Sequence, residues 1–157
     1  MTKLLIARNS PDYRPNDEYF TPEWLFTSMK IKFDLDVASP EGGISWIPAN
    51  SFFTKDEDGL IQTWYGNVWM NPPYSQSKKW VSKFIEHRKG IALLPLAKSK
   101  WMTDLWNTCD GILPMLNGFK FIRDGEPTGS IFLPVALFAF GQDNVDGLKR
   151  LNIGRVR

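Results

Sequence analysis

One continuous unit constrains this chain more than any other: "GNVWM", then "NPPYS", then "SKKWVSKFIEH", then "GIALLPL", spanning residues 66–96. The first run reads as a strand and the second as its carboxyl-end loop. In the third, Trp80, Val81, Phe84 and Ile85 recur at helical spacing with the lysines on the other side, an amphipathic helix. The last is an unbroken apolar run of the kind found in central parallel strands. A strand, a helix and a second buried strand in that order ask for a sheet covered by helices.

The rest of the chain repeats the alternation. "TPEWLFTSMKIKF" predicts a helix with Thr21 as its cap and Pro22 at the first helical position, and with Trp24, Leu25, Met29 and Phe33 on its apolar side. "FDLDVAS" alternates with period two and predicts a short strand, and 40–59 reads as loop. "SKWMTDLWNTC" predicts another helix, while "GILPML", "FKFI" and "VALFAFG" predict late strands around the turn-rich "RDGEPTGS". The expected fold is a single α/β domain over 1–157, with a mostly parallel central sheet and helices on both faces. Residues 1–17 read as a loose leader and 142–157 as a charged tail. In such sheets ligands sit outside the carboxyl ends of the strands, where Asp36 and Asn71 both fall.

Composition excludes several classes. One Cys and one His leave no material for a disulfide or a structural zinc cluster, and no metal is expected. No apolar run approaches the ~20 residues of a membrane span, and no signal-peptide pattern opens the chain, so a soluble, cytoplasmic protein is expected. A formal charge of +2 is compatible with nucleic acid without requiring it.

The chemistry is concentrated in Asn71, Pro72, Pro73 and Tyr74. Proline donates no backbone hydrogen bond, holds φ near about −65°, and forces the residue before it to be extended. Two in a row make a stiff segment with its carbonyls fixed in direction. The Asn71 side-chain oxygen and the Pro72 carbonyl can then converge as two acceptors, which suits a planar exocyclic NH₂ such as that of adenine. Its lone pair is delocalised into the ring, and two acceptors favour tetrahedral geometry as charge develops. Tyr74 offers a flat face for a base, which leaves a duplex only by flipping out. The plainer alternative is a Pro-Pro loop with a packing tyrosine.

With "YFTPEWLF", "FDLDVAS", "DGLIQTW", "GNVWMNPPYS", "IALLPLAKSKW" and "VALFAFG" in this order, the chain resembles the small phage and prophage DNA N-6-adenine methyltransferases, a Dam-like family. The resemblance implies a Rossmann-like fold that binds S-adenosyl-L-methionine. It implies methyl transfer to adenine in DNA, double-stranded DNA as partner, and Asn71, Pro72, Pro73 and Tyr74 as the catalytic motif. It further implies cofactor contacts from Tyr19, Thr21, Pro22, Asp36, Ala38, Asp58 and Asn71. Thr21 and Pro22 would hold the methionine end, Asp36 would lie near the methionine or ribose portion, and Asp58 would accept from the cofactor's adenine amine. Thr-Pro is equally an ordinary helix start, Asp36 a turn cap and Asp58 an Asp-Gly turn. The Gly-rich form of the first cofactor motif is missing here.

For DNA, Lys78 and Lys79 follow the motif, Lys98, Ser99, Lys100 and Trp101 follow the apolar strand, and Arg123 opens the turn-rich loop. Tyr74 would stack on the base. Phosphate contacts from the lysines would make binding fall with salt, although solvated lysines are the ordinary alternative. A homodimer is one way for so short a chain to span a symmetric site. Rival readings keep the fold with another acceptor (DNA cytosine N4, RNA adenine or protein glutamine), or make the chain a non-catalytic binder of DNA or cofactor.

Overall fold

The computed structural model describes residues 19–115, 119–123, 125–127 and 134–157. The leader expected over 1–17 lies outside them. Six strands form one sheet: β1 (Phe33–Asp36), β2 (Ala49–Phe52), β3 (Val68–Met70), β4 (Gly90–Pro95), β5 (Gly111–Met115) and β8 (Val135–Phe140), in the order β2-β1-β3-β4-β8-β5. β2, β1, β3 and β4 pair parallel, and β8 runs antiparallel to both of its neighbours. A separate ribbon joins β6 (Ile122–Arg123) to β7 (Glu126–Pro127). The sheet is thus mostly parallel, with one reversed strand.

Each buried strand divides its side chains between two cores, because successive residues point to opposite faces. Phe33, Trp69, Ile91, Leu93, Leu137 and Ala139 face α1 (Glu23–Met29) and α4 (Gln142–Arg150). Leu35, Val68, Met70, Ala92, Leu94 and Phe138 face α2 (Ser77–His87) and α3 (Lys100–Thr108). β4 is buried along its whole length, which is why its sequence shows no alternation. On α2 the predicted residues Trp80, Val81 and Phe84 are inward, and Ile85 packs at the margin.

Four expectations are corrected. β2 lies inside the stretch read as loop; its side chains are mostly exposed, and main-chain pairing to β1 holds it. Residues 142–157 are no mere tail: Val145, Leu148 and Leu151 bury one side of the segment, and Arg157 exchanges two main-chain hydrogen bonds with Ile112 (2.8 and 2.9 Å) along β5. Instead of a strand over "FKFI", only Ile122 and Arg123 enter the β6 ribbon. Pro22 occupies the N-cap position of α1 in an extended conformation (φ −70°, ψ 150°), so Thr21 lies one residue before the cap. Its hydroxyl has another partner.

Candidate active site

The carboxyl ends of β1 and β3 open into a cavity of about 620 Å³, within the range of small-molecule sites. Tyr19, Thr21, Asp36, Ala38, Asp58 and Asn71 line it, and Pro73 joins them. Chain segments far apart in sequence therefore meet at one cavity. Pro22 and Pro72 are buried off the wall, and Tyr74 is turned from it. The Tyr74 hydroxyl donates to the Leu93 carbonyl (3.3 Å), and its ring packs edge-on to Phe121 with centroids 6.4 Å apart. Burial pushes this phenol well above its ordinary range, so it stays neutral.

Asn71 leaves β3 at its carboxyl end and is half-buried. Its Nδ2 donates to the Tyr19 carbonyl (3.1 Å) and to Thr21 Oγ1 (3.2 Å). A carbonyl can only accept, so the edge of the amide facing Tyr19 must be the NH₂. Oδ1 is left as an acceptor with no hydrogen-bond donor among the described residues. The mount is itself fixed. Phe20 and Ile122 exchange two main-chain hydrogen bonds of 2.8 Å, and the Trp46 indole donates to the Thr21 carbonyl (2.9 Å).

Asp36 ends β1 only 3% exposed. Its Oδ1 accepts from the Ala38 N–H (3.2 Å). Burial raises its pKa to about 7, and the Ala38 N–H and the nearby Ser39 hydroxyl offset only part of that rise. Ser39 Oγ is buried without a hydrogen bond of regular geometry among the described residues. The cavity thus holds a buried carboxyl and a hydroxyl whose bonding capacity is only partly filled among the described residues, an arrangement suited to a polar, cationic occupant.

The 58–65 loop adds Asp58, Gly59 and Leu60 to the wall. Asp58 takes a left-handed conformation (φ 56°) and its Oδ1 accepts from the Leu60 N–H (3.1 Å), so the aspartate both makes the Asp-Gly turn and lines the cavity. A Cβ on Gly59 would lie 2.1 Å from the Val37 carbonyl, which only glycine avoids. The Trp64 indole donates to the Gly59 carbonyl (2.7 Å) and stacks on Trp80, itself a wall residue. Lys83 reaches over the Trp64 ring to the carbonyls of Leu60 (2.9 Å) and Gln62.

Sequence reasoning missed Ser39, Trp80 and Lys55 as wall residues, while Lys79, read as a phosphate contact, also lines the cavity. Trp80 carried a signal, as an aromatic residue on the helix that follows the Asn71 loop, but helical spacing marks core and wall alike. Lys78, Lys98, Ser99, Lys100, Trp101 and Arg123 lie off the cavity wall. Lys100 is ion-paired with Asp104 at 2.7 Å on an exposed helix face. Arg123 donates to the Tyr19 hydroxyl (3.4 Å) with its guanidinium over that ring.

A profile of the family described as DNA N-6-adenine-methyltransferase (Dam) matches residues 10–126. The chain is 29% identical over 150 residues to the DNA N-6-adenine-methyltransferase of Haemophilus phage HP1 (strain HP1c1), covering 87% of this chain and 85% of that protein. It is also 29% identical over 137 residues to the DNA N-6-adenine-methyltransferase of Escherichia phage T1, covering 75% of this chain and 55% of that one. No solved structure gives a significant match.

Proposed function

The chain belongs to the DNA N-6-adenine-methyltransferase (Dam) family, and from that premise we propose that it transfers a methyl group from S-adenosyl-L-methionine to the exocyclic amine of a flipped-out adenine in double-stranded DNA. The sheet order, with its single reversed strand, fits a Rossmann-like methyltransferase. The observation that carries the reading is the tethered Asn71 amide, whose oxygen is left as an acceptor beside the cavity.

Asp36, a buried carboxyl with no positive partner among the described residues, and the Ser39 hydroxyl beside it fit a zwitterionic cofactor bearing a sulfonium. Asp58, Tyr19 and Ala38 complete the cofactor wall on this reading. When bound, the cofactor supplies an electrophilic methyl group. The chain's own part is to orient and desolvate. Asn71 Oδ1 and the Pro72 carbonyl would accept the two hydrogens of the amine and localise its lone pair. The N–C bond would form as the sulfonium's S–C bond breaks, the neutral thioether leaving and one amine proton passing to solvent. Tyr74, neutral, hydrogen-bonded to the Leu93 carbonyl and packed edge-on to Phe121, holds the loop in place. Much of the acceleration then comes from alignment. Lys55 and Lys79 on the wall, with Lys78, Lys98, Ser99, Lys100, Trp101 and Arg123 further out, are the groups proposed to meet DNA.

The test is methylation of a mixed DNA pool with labelled donor, followed by mapping of modified bases. The expected product is N-6-methyladenine. Asn71→Ala should lower turnover by about 100-fold or more while largely sparing cofactor binding. Full turnover in that variant would overturn the reading.

A further inference from the structure

We infer that Thr21 is a positioning residue for the reaction: its hydroxyl, with the Tyr19 carbonyl, locks the Asn71 amide in the one orientation that presents Oδ1 to the amine. The inference rests on the function proposed above. It gives Thr21 a task beyond the cofactor contact that the family resemblance implies.

A primary amide has two ends of opposite hydrogen-bonding sense and nearly equal size, so a half-turn exchanges an acceptor for a donor. For an asparagine that must accept, that exchange is fatal: the NH₂ would then face the NH₂ of the base. The Tyr19 carbonyl decides the matter here, and the Thr21 hydroxyl reinforces it. The Tyr19 carbonyl (3.1 Å) accepts only, and Thr21 Oγ1 (3.2 Å) accepts the second hydrogen. Turning the amide over would set Oδ1 against the Tyr19 carbonyl and forfeit that bond. The Thr21 hydroxyl could follow the turn by donating instead, but its bond to the NH₂ fixes the second hydrogen in place.

The mount is built to hold. Thr21 is fully buried, and the Trp46 indole fastens its carbonyl at 2.9 Å. Phe20 between the two acceptors is bridged in both directions to Ile122. Thr21 Oγ1 accepts from Asn71, and among the described residues its own hydrogen has no acceptor, so it can turn toward the cavity that Thr21 lines. The same hydroxyl can therefore touch the cofactor and the asparagine together.

Kinetics separate the two tasks. A cofactor contact alone would raise the cofactor KM of Thr21→Val and leave kcat at saturation unchanged. A positioning role lowers kcat at saturating cofactor and DNA, by about 10-fold or more for a misplacement of this kind. Thr21→Ser, which restores the oxygen, should recover much of the lost rate. An undiminished kcat in Thr21→Val, or no recovery in Thr21→Ser, overturns the inference.

A measurement on the wild-type protein guards against a variant that fails to fold. The two Asn71 side-chain amide hydrogens, followed by NMR in the cofactor-free protein, should be distinct and protected from exchange with water. Free exchange would show that the amide is not held, and the inference would fall. If the wild type methylates no adenine at all, the proposed function fails instead, while the NMR result still reports on the tether.

Discussion

Asp36 is a carboxyl that the fold buries without a positive partner among the described residues. Its pKa rises from 3.8 to about 7, chiefly through burial. The sign of the consequence follows. Below pH 3.8 the group is neutral in both the folded and unfolded chain and costs nothing. Between that value and about 7 the unfolded chain ionises while the folded one keeps its proton, so stability drains away as pH rises through the folded pKa. The full loss is of the order of 2–4 kcal/mol. Asp36→Asn should therefore unfold at a higher temperature than wild type at pH 7.5 and show a flatter pH dependence between 4 and 7 in urea titrations. A cationic occupant reverses the preference by stabilising the carboxylate. Cofactor affinity, read by calorimetry, should then tighten as pH rises from 5.5 to 7.5 in wild type and be weak and flat in Asp36→Asn. The sequence placed Asp36 at the strand end because "FDLDVAS" alternates. It could not show the missing counter-charge, which depends on what the folded chain brings alongside.

At the scale of elements, the part of the wall formed by the 58–65 loop is held from behind. Lys83 ties the Leu60 and Gln62 carbonyls to α2, and Trp64 ties the Gly59 carbonyl while stacking on Trp80. Lys83→Met keeps the stem and removes the ammonium, so the loop loses both tethers and the contact with the Trp64 ring. Cofactor Kd should rise by about 3- to 10-fold, equivalent to about 1 kcal/mol of hydrogen bonding, with little change in kcat at saturation. Titration of cofactor into the variant checks this, and an unchanged Kd would free the loop of any role in the wall. α2 and β4 were legible because burial imposes a period or an unbroken run. β2 was not, because three of its four side chains are exposed and its order comes from main-chain bonds to β1. The role of Thr21 was hidden for a related reason. A threonine before a proline writes the same local signal whether its hydroxyl caps the helix or, as here, meets Asn71 across 50 residues of chain.

The whole molecule joins its site to its far end through the layer formed by α1 and α4. α4 was missed because "QDNVDGLKR" offers only Val145 and Leu148 as apolar anchors in a polar segment. In the fold those two and Leu151 enter the core that also contains Leu25, Phe26 and Met29 of α1. Arg150 Nε donates to the Met29 carbonyl (2.6 Å), and Ile31 lies where any side chain on residue 147 would have to go. α1 begins two residues after Thr21, so the helix that steadies the asparagine mount is steadied in turn by the C-terminal segment. Three buried side chains at about 1.5–3 kcal/mol each amount to roughly 5–9 kcal/mol, comparable with the ~5–15 kcal/mol that holds a domain folded. A chain ending at Gly141 should therefore lose its cooperative thermal transition, as seen by circular dichroism. A chain ending at Leu151 keeps all three side chains and gives up the Arg157 pairing with Ile112. It should still unfold cooperatively, at a Tm lowered by a few degrees for each ~1 kcal/mol lost. A cooperative transition in the Gly141 truncation would mean that the sheet and α1 stand without α4, and that the Asn71 mount depends only on its local bonds.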